Sequence, residues 1–191
     1  MRVIGTVGLP GSGKGVLAEV AREEGVPVVT MGDVIREACR DRGLDPAEHH
    51  GRVAGALREE EGEAAIATRS LPRIEAALAE PGTHTVLVDG LRSPAEVEAF
   101  ERAFGDDFVV VSVEAPFDLR AERLADRGRD ATDTDRESLR ERERRELDFG
   151  MGEVMDDADV RVENTGSLAS FRDRARELLH GGPETVADTD R

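Results

Sequence analysis

Cysteine occurs once in this chain, at Cys39, and tryptophan and tyrosine do not occur at all. A single cysteine excludes a disulfide framework and any metal site built from several thiolates, including a zinc-bearing lid. No run approaches the ~18 apolar residues of a membrane span, and the stretch behind Arg2 is too short and too rich in glycine for a signal peptide, so a cytoplasmic protein is expected. Lysine is nearly as scarce: Lys14 is the only one among 26 basic residues, and the others are arginine. Positive charge is outweighed throughout. The 42 Asp and Glu residues leave a formal charge of −16, which argues against nucleic acid or an anionic membrane as partner, since both require a positive surface. These acidic residues lie among regularly spaced Val, Leu and Ala, the pattern of a folded domain with an acidic coat. Such surfaces are similar to those of proteins from salt-loving organisms, where ionic strength screens the self-repulsion.

What the chain does contain is organised around Gly8-Leu9-Pro10-Gly11-Ser12-Gly13-Lys14-Gly15, between the apolar run Val3 to Val7 and the helical pattern Val16 to Ala21. Strand, glycine-rich loop and helix in that order make a P-loop. The glycines let backbone N–H groups turn inward around a phosphate chain, the helix adds its unpaired N–H groups and its dipole, and Lys14 reaches the outer phosphates. A compact ammonium fits at the bottom of such a loop where a planar guanidinium does not, which gives this chain a reason to keep its one lysine here. Gly15 stands where the motif uses a Ser or Thr hydroxyl on Mg²⁺, and Val16 supplies no oxygen either.

Strands and helices alternate along the rest of the chain, which with the P-loop predicts an α/β, three-layer P-loop fold with a parallel sheet of about five strands, the kinase form of that fold being what the resemblance given below implies. The expected strands are 2–7, 27–30, 85–88, 108–113 and 159–162. The capping boxes at Asp45-Pro46-Ala47-Glu48 and Ser93-Pro94-Ala95-Glu96 predict helix starts. Residues 46–80 read as two helices broken near Gly62, so a helical acceptor-binding insertion is expected over about 31–80. A short arginine-rich lid is expected over about 127–145, in one kinase domain spanning 1–180, with a loose tail at 181–191.

Carboxyl ends of parallel strands form the ligand-facing edge of such a sheet. Besides the P-loop, they deliver Thr30 to Arg36 and Asp89 to Arg92 there. An aspartate ending an apolar strand downstream of a P-loop, here Asp89, fits the residue that organises the metal. Together the P-loop, Gly32-Asp33-Val34-Ile35-Arg36 and Asp89-Gly90-Leu91-Arg92 resemble the adenylate-kinase group of nucleoside monophosphate kinases, which also carry Gly after the P-loop lysine. The resemblance implies that Arg36 and Arg92 hold the acceptor phosphate, and that Asp33 and Asp89 order Mg²⁺ through its waters. Val16 departs from the threonine usual in that group, and Arg92 is offset by one residue from its spacing. The stretch Ala158 to Ser167 is similar to the C-terminal part of dephospho-CoA kinases, which implies that Asn164 and Gly166 pack against the adenine of ATP. Over about residues 2–180 the chain most resembles archaeal P-loop kinases lying between these two groups.

The lid arginines alternate with Glu and Asp at helical spacing, so many must be solvated ion pairs. Arg123, Arg127 and one or two of the group Arg136 to Arg145 are expected to face the phosphates, where arginines stabilise a loose transition state. The four histidines lack metal-ligand spacing and are assigned to surface or packing. ATP and Mg²⁺ are the expected cofactors, and a nucleoside monophosphate, AMP first, is the expected acceptor. A hydroxyl acceptor, with Asp33 as a compatible base, and a nucleotide-dependent switch are the alternatives.

Overall fold

The computed structural model describes residues 1–127, 136–182 and 185, with the Arg127 side chain excepted. The loop 128–135, most of the tail and the expected phosphate contact of Arg127 therefore lie outside the described residues. β1 (Arg2–Val7) leads into α1 (Lys14–Glu23), and β2 (Val28–Thr30) into α2 (Met31–Asp41). Two further helices, α3 (Pro46–Glu61) and α4 (Ala65–Ala79), precede β3 (Thr85–Asp89). After α5 (Pro94–Phe104) and a 3-10 turn come β4 (Phe108–Glu114), α6 (Phe117–Arg127) and α7 (Arg136–Glu146). A π-helical segment Leu147–Met151, α8 (Gly152–Asp156), β5 (Val160–Glu163) and α9 (Leu168–Gly181) complete the order.

The five strands form one parallel sheet in the order β2-β3-β1-β4-β5, the α/β P-loop architecture that the alternation predicts. Side chains alternate across the pleat, so each central strand feeds two cores. Val3, Val7, Val86, Val88, Phe108 and Val110 pack with α2 to α5, whereas Ile4, Leu87, Val111 and Val113 pack with α1 and α9. Phe100 is fully buried between Phe104 and Phe108, with ring centroids 6.4 and 5.5 Å away, and truncating such a ring costs about 3–5 kcal/mol. Gly5 is required by close approach, since a Cβ there would stand 2.6 Å from Leu91 Cδ1 and 2.9 Å from the Phe108 ring.

Two local expectations are corrected. Asp45 and Ser167 cap their helices by accepting from Ala47 N at 2.9 Å and Ser170 N at 3.2 Å, but Ser93 makes no side-chain cap bond. Its partner in the expected box, Glu96, turns instead to the backbone N–H of Arg92 at 2.8 Å and is buried. The second correction is the π-helical segment with α8, residues 147–156, where no element is expected from sequence. Gly150, at φ 110°, lets the chain kink between α7 and α8. Also, α9 extends through Gly181, one residue into the expected tail.

Candidate active site

Register brings the site together. Thr6 pairs with Asp89, and Asp89 with Thr30, so the carboxyl ends of β1, β3 and β2 finish at one level. Beyond that level lie Gly8, Met31 and Gly90, and they open onto a cavity of about 300 Å³ lined also by Lys14, Gly32, Arg36, Asp89, Arg92 and Arg142. Gly8, Gly11 and Gly13 all take positive φ, at 149°, 80° and 121°, which curls the loop so that its N–H groups point inward. Lys14 is half-buried at its base and donates to the carbonyl oxygens of Gly8 and Leu9. Dehydration pulls its pKa from 10.5 down to about 8, against the opposing attraction of Asp89 and Glu146. A phosphate chain would supply the anion this ammonium lacks.

The loop is braced from behind. Asn164, 5 % exposed, donates from Nδ2 to Ser12 O at 2.8 Å and receives Arg123 Nη2 at 3.2 Å on Oδ1 and 3.0 Å on its carbonyl. A Cβ on Gly13 would stand 2.3 Å from that Nδ2, so the brace requires glycine there. Arg120, buried, donates from Nε to Ala115 O at 2.8 Å and from Nη1 to Pro10 O at 3.2 Å, and it is ion-paired with buried Glu143. Beside Asn164 a hollow of about 130 Å³ is lined by Thr165, Gly166, Phe171 and Arg174.

On the other side the first cavity continues into a second of about 460 Å³, sharing Ile35, His50, Arg58, Arg92, Arg142, Glu146 and Met151. Its apolar lining comes from Ile35, Ala54, Phe149 and Met151, with the Arg58 guanidinium 4.5 Å over the Phe149 ring. At the floor, Arg58 lies 3.5 Å from Glu96, which is 1 % exposed, and burial pushes that carboxyl upward in pKa. His50 faces the same space and is pushed down by dehydration and by Arg92 and Arg36.

Three comparisons bear on this geometry. The family model described as AAA domain matches residues 7–140, from the end of β1 into α7. A UPF0200 protein of Halobacterium salinarum is 60% identical over 179 residues, covering 94% of this chain and 93% of the relative. The chain belongs to the UPF0200 family and contains an AAA domain. A UPF0200/UPF0201 protein of Archaeoglobus fulgidus is 50% identical across 94% of this chain, and 55% of that longer relative is matched. Among solved structures, TT1252 from Thermus thermophilus superposes with TM-score 0.66 at 22% identity, covering 94% of this chain and 96% of that one. Shikimate kinase from Acinetobacter baumannii, in complex with shikimate, gives 0.54 at 21%, covering 94% and 91%. At these identities the two structures speak for the fold of the UPF0200 chain.

Within this UPF0200 chain the cavity unites Gly8, Pro10, Lys14, Arg36, Asp89 and Arg92 of the expected site, together with one later arginine, Arg142. Other expected residues lie off it. Asp33 is exposed, and its Oδ1 accepts from Arg36 Nε and Nη2 at 2.9 and 2.6 Å. Arg123 donates to Asn164, and Asn164 in turn to the P-loop backbone at Ser12. Val16 is buried in the core between α1 and α9, which explains an apolar residue at that position. Sequence reasoning missed His50, Arg58, Glu96, Glu146, Phe149 and Met151. Only the apolar pair inside Leu147–Met151 could have been noticed beforehand.

Proposed function

We propose that this protein is an ATP- and Mg²⁺-dependent small-molecule kinase whose acceptor is a nucleoside monophosphate, AMP foremost. The observation that carries the reading is the shared wall of the two cavities: Lys14 of the donor loop and the arginines Arg36, Arg92 and Arg142 line the first, and Arg92 and Arg142 also line the second, where Ile35, Ala54, Phe149 and Met151 supply apolar surface. The P-loop fits the β- and γ-phosphates, and the hollow at Asn164 to Gly166 lies where the adenine of ATP is expected. The Ser12 hydroxyl, buried without a hydrogen-bond partner among the described residues, is a further sign that the loop is built around a group it does not itself contain.

Arg36 and Arg92 would hold the acceptor phosphate, with Asp33 orienting Arg36 through its two hydrogen bonds. An acceptor phosphate oxygen then forms the bond to the γ-phosphorus as the bond to the β,γ-bridging oxygen breaks, and the electron pair leaves with ADP. Lys14 and Arg142 neutralise charge on the transferring group. Asp89, the carboxylate of this wall that ends β3 beside the P-loop, accepts from the Thr6 hydroxyl at 3.3 Å and would hold Mg²⁺ through water, as suits an ion bound by one carboxylate and phosphate oxygens. The chemistry such an ion would supply there is neutralisation of phosphate charge.

A phosphate acceptor is already anionic at neutral pH, whereas a hydroxyl needs a carboxylate base within reach. Each nearby carboxylate is already partnered, Asp33 by Arg36, Asp89 by Thr6, Glu96 by the Arg92 N–H and Glu146 by Arg92 and Arg142, which favours the anionic acceptor. The test is incubation in molar KCl with ATP, Mg²⁺ and, in turn, AMP, CMP, UMP, dTMP and dephospho-CoA, with products identified by mass. ADP formed from AMP is expected, and ATP hydrolysis without transfer would overturn the proposal.

A further inference from the structure

Glu146 ends α7 at the junction of the two cavities and lines both. Its side chain is 12 % exposed, and its Oε1 lies 3.4 Å from Arg142 Nε and 3.7 Å from Arg92 Nη1. Exposed pairs at such distances contribute little, but this carboxylate is withdrawn from solvent and set between two guanidinium groups, with Lys14 close enough to feel its charge. That is the position an acceptor phosphate would occupy. Glu143, three residues earlier and on the same helix face, is ion-paired with Arg120, which also donates to Pro10 O of the P-loop. One face of α7 thus touches the donor loop at one turn and the arginine pair at the next.

We propose that Glu146 is an internal occupant of the acceptor clamp: its carboxylate holds Arg92 and Arg142 in place of a phosphate, and is displaced when a tetrahedral dianion enters. The clamp then selects doubly charged groups over carboxylates and neutral acceptors. The internal competitor weakens every entering anion by the same factor, so a carboxylate from solvent, with half the Coulomb attraction of a dianion, falls below useful affinity while the dianion still binds. If the carboxylate fills the clamp about nine-tenths of the time, apparent affinity for an entering anion falls about tenfold. The inference rests on the kinase reading only in naming the clamp an acceptor site, because displacement concerns any dianion.

Sulfate, a dianion that needs no nucleotide, tests it by calorimetry at fixed ionic strength. Glu146→Gln should bind sulfate about tenfold more tightly than the unmodified protein, and the gain should vanish when Arg92→Ala is added. Acetate should bind Glu146→Gln and give no heat with the unmodified protein. Sulfate affinity that is unchanged or lower in Glu146→Gln, or a gain that survives Arg92→Ala, would overturn the proposal. A measurement that leaves Glu146 intact guards against a variant that fails to fold. The chain has no tryptophan, so Phe149→Trp, three residues beyond Glu146, provides a sole reporter whose emission must shift on adding sulfate, and a silent reporter also counts against displacement. Sulfate displacement without transfer to AMP would leave this inference standing and remove the kinase reading. Transfer to AMP with no effect of Glu146→Gln would do the reverse.

Discussion

Replacing Lys14 by methionine should stabilise the ligand-free protein near pH 7 while abolishing nucleotide binding. Dehydration lowers the Lys14 pKa from 10.5 to about 8. Between those values the unfolded chain holds a proton that the folded one has released, so ligand-free stability rises with pH through that window and is lowest below it. Keeping Lys14 charged below about pH 8 costs on the order of 3 kcal/mol. Methionine removes that cost and forfeits the hydrogen bonds to the Gly8 and Leu9 carbonyls, about 1 kcal/mol. The net gain of about 2 kcal/mol corresponds to roughly 4–8 °C in Tm for a chain of this size. By about pH 10.5 the gain should be gone, leaving the variant slightly below the unmodified protein. ATP should reverse the order near pH 7 by stabilising only the protein that binds it. Scanning calorimetry at both pH values, with and without ATP, makes the comparison. A variant melting at or below the unmodified protein near pH 7, or a gap independent of pH, would refute the reasoning.

Three further outcomes are expected. Arg92→Ala, and likewise Arg36→Ala, should weaken acceptor binding about thirtyfold, on the order of 2 kcal/mol for a charge-assisted contact, with ATP affinity nearly unchanged by titration calorimetry. Asn164→Ala should lower stability by about 1–3 kcal/mol in a denaturant titration, because the Ser12 carbonyl and Arg123 lose a buried partner, and it should weaken ATP binding as the loop loosens. With a net charge of −16, Tm should fall as KCl is lowered from the molar to the millimolar range, and a constant Tm would contradict the screening argument.

The sheet could be read from the chain because its strands are short, largely apolar runs, three of which run into Gly8, Thr30 or Asp89 at their carboxyl ends, and because a P-loop fixes strand, loop and helix order at the start. The donor half of the site was legible for the same reason: its residues are contiguous. Beyond Arg36 and Arg92 the acceptor half was not, since Arg58, Glu96 and the stretch holding Glu146 and Phe149 are three separate segments that meet only through packing. Glu96 had the spacing of a cap residue, and nothing local says that its carboxyl is buried. Glu143 and Glu146 had the spacing of solvated pair partners, yet one is buried and the other nearly so. The segment 147–156 carries no cap signal, and its course depends on one positive φ at Gly150, whose need for glycine emerges only once Pro94 is packed 2.8 Å from where its Cβ would be.

Transfer itself is the measurement closest to the centre of the account. ATP labelled in its γ-phosphoryl group, incubated with Mg²⁺, AMP and the protein in molar KCl, should yield labelled and unlabelled ADP in equal amounts during the first turnovers, and Lys14→Ala should yield neither. Label released only as inorganic phosphate, or label transferred at full rate by Lys14→Ala, would contradict it.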